Sequence, residues 1–292
     1  MSEAFYLPHS PITDPGDFAR LYDAVPDDIA GICRAVQGLV VHYTEDGYRP
    51  PHNRLCEIDT RYAAAILQRI LELDDRPLTQ PRALEQRLVG CCRDYTVLTV
   101  SILRHKGIPA RARYGTGTFF EAGYYCDHVI LEYWNGSRWV AVDSEMGETQ
   151  IKHFGITFDV LDVPDDQFVR GGQGWLMCRR EGADPDRFGL GSGSPLHGWD
   201  FILTEMLLDL AALNRVELLC WDSWGFASGD FALSDDDKTF LDRVAAATLD
   251  NARFEECQAL FQHEKLRVPD VIQSYSPAVP REQLPVTVHL AL

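Results

Sequence analysis

Between Gly90 and Gly115 the chain reads GCCRDYTVLTVSILRHKGIPARARYG, placing two adjacent cysteines at the head of an apolar run. A free thiol has a pKa of about 8.5 and becomes a nucleophilic thiolate near neutral pH only beside an imidazolium or a helix N-terminus. Tyr95, Leu98 and Ile102 share one helical face, and Val97, Val100 and Leu103 widen the apolar arc. A helix buried on most sides is expected, stopped by Gly107 and Pro109. Cys92 then occupies its first turn, where unpaired backbone N–H groups also face a developing oxyanion. Cys91 competes for the role, its side chain turned about 100° away around the helix. Cys92, one residue further inside, is the preferred nucleophile.

A base for that sulfur is sought downstream. HVILEYWNGSRWVAVD is two strand-like runs meeting at Asn135-Gly136, a pair suited to the positive φ angles of a tight hairpin turn. A two-residue turn there, or a symmetric four-residue loop closed by Tyr133 and Arg138, sets His128 directly opposite Asp143, with Cβ atoms about 5 Å apart. The carboxylate would then fix the imidazole tautomer and leave the second ring nitrogen free as a base. A zinc site of Cys91, Cys92, Cys126 and His128 is the competing chemistry, although structural zinc normally uses ligands two to four residues apart. Asp94 and Arg93 are expected to cap or pair locally at the helix start. Arg111 and Arg113, alternating with alanines, read as a solvated or acid-paired strand face. A second oxyanion donor is not evident; Gln86 is the nearest guess.

The elements that must hold these residues are legible in outline. Residues 1–25 read as an irregular proline-marked arm, 27–42 and 59–74 as helices, and 74–82 as a linker. From Ala110 the pattern becomes strand-like, and helices are expected again at 197–214, 235–250 and 251–265, before a tail from Pro269 of strand or coil. GGQGW and FGLGSGSP are glycine-rich, but neither is read as following a strand and opening a helix, so a phosphate cradle is not expected. Trp199, Trp221, Asp222 and Trp224 form the densest aromatic region, read as interhelical packing or a substrate wall.

Composition bounds the rest. The 292 residues are 46% hydrophobic, enough for a sizeable core, and the formal net charge of −17 argues against nucleic acid or an anionic membrane as partner. The N-terminus has no basic segment followed by an apolar one and no apolar run reaches about 18 residues, so a cytoplasmic protein is expected. Eight scattered cysteines in such a chain make disulfides a poor expectation, and most, including Cys220 in VELLCW, read as small buried hydrophobes. No loop has calcium-ligand spacing, and no cofactor is implied.

At these residues the chain resembles the transglutaminase-like superfamily of papain-related cysteine enzymes. The resemblance lies in GCCRDYTVLTVSILRHKGIPARARYG, similar to the family's G-x-C-x-D-[FY] and GIPAR blocks, and in DHVILEYWNGSRWVAVDSE. It implies Cys92 as nucleophile, His128 as base and Asp143 as its orienting acid. Val129 and Ile130 stand where many members have an aromatic residue. The downstream half resembles a helical extension found in a bacterial branch of the group. The expectation is an α+β fold, a central helix on an antiparallel sheet, with a catalytic core at 1–160 and a mainly helical extension at 161–292. The expected chemistry is acyl transfer at an amide or ester carbonyl of a peptide or small molecule, through a thioester, ending in hydrolysis or amide formation. A non-catalytic binding module on the same scaffold is the alternative.

Overall fold

Residues 3–44, 47–228 and 233–292 are described in a computed structural model of the chain. In order they form α1 (Ile29–Gln37), β1 (Val40–His42), α2 (Ala63–Leu73), β2 (Leu88–Gly90), α3 (Cys92–His105), β3 (Ala110–Gly117), β4 (Tyr125–Trp134), β5 (Trp139–Val142) and α4 (Glu148–Phe154). There follow β6 (Phe168–Arg170), α5 (Gly171–Leu176), β7 (Phe188–Gly189), α6 (Trp199–Leu213), β8 (Asp222–Ser223), α7 (Asp235–Leu249), α8 (Phe254–Phe261), β9 (Val271–Ser274) and β10 (Val286–His289).

Asp28 caps α1 by accepting the Gly31 N–H at 2.8 Å. The helix expected to reach residue 42 stops at Gln37, because Val40–His42 pairs in parallel with Leu88–Gly90. Two β-branched residues in that stretch favour the pleated state once a partner strand is present. This pairing aims the chain at the start of α3. Gly90 stands at the junction because a Cβ there would come within 2.7 Å of Asp94 Oδ2 and 2.9 Å of Val40. α3 is buried from Cys92 to Arg104, as its apolar arc predicts. Its polar residues are satisfied: Thr96 donates to the Val129 carbonyl at 3.0 Å and Ser101 to that of Thr13 at 2.6 Å.

The main sheet has the order β5-β4-β3-β6, antiparallel throughout, with β7 added parallel to β4. It packs against α3 on β4 and β3, and α6 packs against β3. The fold is thus an α+β arrangement of a helix on an antiparallel sheet. The segment after residue 161 supplies β6 and β7 to this sheet as well as four helices.

Two expectations are corrected here. GGQGW does follow a strand and does open a helix, since β6 runs directly into α5. Its glycines nevertheless serve packing: a Cβ on Gly171 would meet the Glu205 backbone at 2.6 Å, and one on Gly172 would meet Thr248 Oγ1 at 2.3 Å. The β4–β5 hairpin is also shifted by two residues. Trp134 pairs with Trp139 across a four-residue loop, in place of a turn closed nearer Asn135-Gly136. The two indoles meet edge-on at 5.8 Å, the Arg111 guanidinium lies 4.1 Å over Trp139, and Asn135 Oδ1 accepts the N–H groups of Ser137 and Arg138. These contacts select the longer loop.

In the arm, Tyr6 and Tyr22 are buried anchors; its first two residues lie outside the described ones. The helix expected at 251–265 is a 3₁₀ turn followed by α8, and the tail forms the β9–β10 hairpin. No helix among the described residues is long and apolar enough to cross a membrane.

Candidate functional site

β2 places Cys91 at the N-cap of α3 and Cys92 in its first turn. The Cys91 N–H donates to Asp94 Oδ2 at 2.9 Å, and Asp94 pairs with Arg93 at 3.1 Å, the local capping expected of both. From β4, His128 Nε2 donates to Asp143 Oδ2 at 2.7 Å. The second carboxylate oxygen accepts the backbone N–H groups of Glu145 and Met146 at 3.1 and 3.4 Å. Asp143 is therefore fixed by the turn that leaves β5 and by the ring it orients.

The two side chains meet although they are not directly opposite. The observed ladder ends at Leu131–Val142, so Asp143 follows β5 one step past the last pair and reaches His128 diagonally. A two-residue shift preserves the face of the sheet, whereas a one-residue slip would have separated them. Glu145, in the turn that leaves β5, also reaches this group. Ligand atoms of Cys92, His128 and Glu145 lie within 4.8 Å of one another.

A second cluster shares Cys92: the sulfurs of Cys91, Cys92 and Cys220 also lie within 4.8 Å of one another. Cys126 belongs to neither group, so the four-residue zinc set of Cys91, Cys92, Cys126 and His128 is not assembled. Cys220, expected to be a packed hydrophobe, is instead a member of the sulfur cluster, and all eight thiols are free. Nothing near Cys220 in sequence could have announced this. Glu145 lies in the turn past β5, outside the strand pairing, and His42, lying near Cys91, carried no pattern. Gln86 lies exposed in a 3₁₀ turn. The aromatic region makes packing and ion-pair contacts. Trp221 donates to Asp59 at 3.0 Å, Trp224 to the Leu266 carbonyl at 3.0 Å, Asp222 pairs with Arg61 at 2.7 Å, and Trp199 meets Trp175 edge-on.

The reactive groups are sealed, with Cys92 5% and His128 2% exposed. Phe120 and Phe119 cover the imidazole, their ring centres 4.9 and 6.0 Å from it. Beside the site a cleft of about 630 Å³ is lined by Arg34, Gln37, Arg87, Tyr95, Glu145 and Gln150, among others, and so reaches the site at Glu145.

Burial opposes a charge on His128, but the Asp143 charge and hydrogen bond prevail and push its pKa up to about 9. The Cys91 thiol is held well below its ordinary range because Cys220 and Cys92 donate S–H bonds to it. Cys220 is pushed well above, being the donor to both other sulfurs and buried. Cys92 receives a bond from Cys220, yet its own donation to Cys91 and its burial push it up. Burial pushes Asp127 up to about 6, burial and the neighbouring Asp127 charge push Glu205 well above its ordinary range, and burial lowers His42 to about 4.

A stability signature follows. The folded-state pKa of His128 lies above its unfolded value near 6.5, so its contribution is complete below pH ~6.5 and is lost as pH rises to about 9. Between urea titrations at those two pH values, the wild type should lose about 3 kcal/mol more than Asp143→Asn. Equal losses in the two proteins would refute the ion pair.

The profile of the transglutaminase-like superfamily matches residues 54–144. No curated protein matches the chain. Among solved structures, a candidate cysteine protease from Cytophaga hutchinsonii is similar at 16% identity with a TM-score of 0.34, over 56% of this chain. The match spans 44% of that chain, less than half its length. Cys92, His128 and Asp143 all lie inside the matched segment, so the part of the chain that is similar to the transglutaminase-like superfamily, residues 54–144, is the part that carries this site.

Proposed function

We propose that the chain catalyses acyl transfer from an amide or ester to water or an amine through a thioester on Cys92. One observation carries the reading: the imidazole that lies within 4.8 Å of Cys92 and Glu145 is hydrogen-bonded on its Nε2 to Asp143 at 2.7 Å. Asp143 is a positioning residue that holds the ring and favours its charged form. The sulfur cluster supplies the negative charge. Moving the S–H proton of Cys92 onto Cys91 puts the thiolate on Cys92, beside the imidazolium.

The thiolate then attacks the carbonyl carbon, and its oxyanion meets the Cys92 backbone N–H at the start of α3. His128 gives its proton to the leaving amine or alcohol, and the thioester forms as that bond breaks. Now neutral, His128 takes a proton from the incoming water or amine, which completes the transfer. Substrate access runs from the cleft at Glu145, whose 630 Å³ suits a small acyl donor or a single side chain.

The test is trapping. The chain is incubated with p-nitrophenyl acetate, quenched in acid, and the acylated peptide is fragmented to separate Cys91 from Cys92. A hydroxylamine-sensitive acetyl group on Cys92 alone is expected. Acetylation scattered over several cysteines, or none, would sink the reading. Repeating the quench after adding glycine ethyl ester decides between hydrolysis and amide formation.

A further inference from the structure

Cys220 reaches the sulfur pair from the segment that follows α6, and its position is firmly set. Arg93, in the first turn of α3, donates to the Glu217 carbonyl at 2.6 Å. Asp222 Oδ2 accepts the Leu219 N–H at 3.1 Å while the same carboxylate pairs with Arg61 at 2.7 Å. Trp221, the next residue, is tied to Asp59 and packs edge-on against Tyr43 at 6.4 Å. The backbone on both sides of Cys220 is thereby fastened to elements that surround Cys91 and Cys92. Simple filling of a gap would not require a third thiol there.

Three sulfurs within 4.8 Å of one another match the needs of a soft metal ion. Metal–sulfur bonds of about 2.3 Å place sulfurs about 4 Å apart around a common centre, so the cluster need contract by less than about an ångström. Thiolates select Zn(II), Cd(II) and Cu(I), while Ca(II) and Mg(II) need oxygens. We propose that Cys91, Cys92 and Cys220 form a three-sulfur site for a soft metal ion, and that occupancy withdraws Cys92 from acyl transfer. The site differs from the zinc set weighed above, since it replaces Cys126 and His128 by a thiol from the far segment. Binding is an exchange without redox chemistry: metal–sulfur bonds form, S–H bonds break, and the protons leave to solvent. Only the withdrawal of Cys92 rests on the proposed function; metal binding stands by itself.

The probe is Cd(II), added under argon to the reduced full chain. The expected result is one ion bound per chain with thiolate-to-cadmium absorption in the ultraviolet. Cys220→Ser should weaken that binding by at least ~10-fold, and Cys126→Ser should leave it unchanged. Cys220→Ala, checked for a native near-ultraviolet spectrum, gives the same comparison should serine disturb the fold. Unaltered affinity and absorption in the Cys220 variants, or no such absorption in the wild type, would overturn the site. Acylation of Cys92 by p-nitrophenyl acetate should fall in proportion to cadmium bound. Binding without any such fall overturns the withdrawal, whereas a metal-free chain that never acylates fails the proposed function and leaves the binding result intact.

Discussion

Replacing Cys92 by serine or His128 by alanine should each lower the rate of acylation by p-nitrophenyl acetate on the order of 10⁴-fold, and the double replacement should lose scarcely more. Groups that act as one unit are grossly non-additive, because removing either leaves the other without a task. Here the unit is visible: His128 lies against Cys92 and is held at 2.7 Å by Asp143, with backbone donors from Glu145 and Met146 holding the carboxylate in turn. Asp143→Asn should cost roughly 10- to 100-fold less than the others, since the ring and sulfur remain. It should also move the pH profile, as the charge that raises His128 to about 9 is gone. Cys91→Ser separates the two thiols. If Cys91 only receives the Cys92 proton, its replacement slows acylation without moving the label. Full activity in Cys92→Ser, with acetyl found on Cys91, would assign the nucleophile one residue earlier and end the present account.

The parts of this site that lay close in sequence were readable, and those joined through space were not. α3 announced itself by its apolar arc and its Gly107-Pro109 stop, and α6 and α7 by helical periodicity, because local patterns determine whether a buried helix is consistent. The β4–β5 register depended on an energetic choice between loops, made by the Trp134–Trp139 pair and the Asn135 side chain. The expected turn was wrong by two residues, yet the contact between His128 and Asp143 survived because the error was even. Glu145 was missed because it lies past β5, in a turn whose path no strand pairing sets. Val40 and Val41 were read as the end of a helix because their partner strand, β2, lies far along the chain. Cys220 was invisible for a related reason: its meaning depends on where the segment after α6 docks, which Arg93 and Arg61 decide.

That docking also predicts the largest effect on stability. Arg111 and Arg113 are the acid-paired strand face that the alternation allowed, and both are buried. Glu132 accepts from Arg111 at 2.6 Å, Arg113 at 3.1 Å and Arg170 at 2.8 Å. Asp209 of α6 takes Arg113 in a fork, both bonds 2.8 Å, and accepts the Tyr114 N–H at 3.0 Å. The network joins β3, β4, the end of β6 and α6, and Arg111, Arg113, Glu132 and Asp209 in it are buried. Glu132 is accordingly held well below its ordinary range, by the Arg113, Arg111 and Arg170 charges acting against burial. Removing one member of a buried, hydrogen-bonded charge network leaves its partner charged and dry, at a cost of about 3–5 kcal/mol. Asp209→Ala should therefore lower the melting temperature on the order of 10 °C. Because the network fastens residues 161–292 to the sheet that carries His128, the loss should appear as one cooperative transition. The measurement is thermal unfolding followed in parallel by far-ultraviolet signal and by loss of selective Cys92 labelling. A transition split in two, with the Cys92 signal unmoved, would show that the helical segment melts independently and that the site does not depend on it. Coincident curves would mean that Cys220 and the site it completes are held in place by the same buried charges that hold the fold.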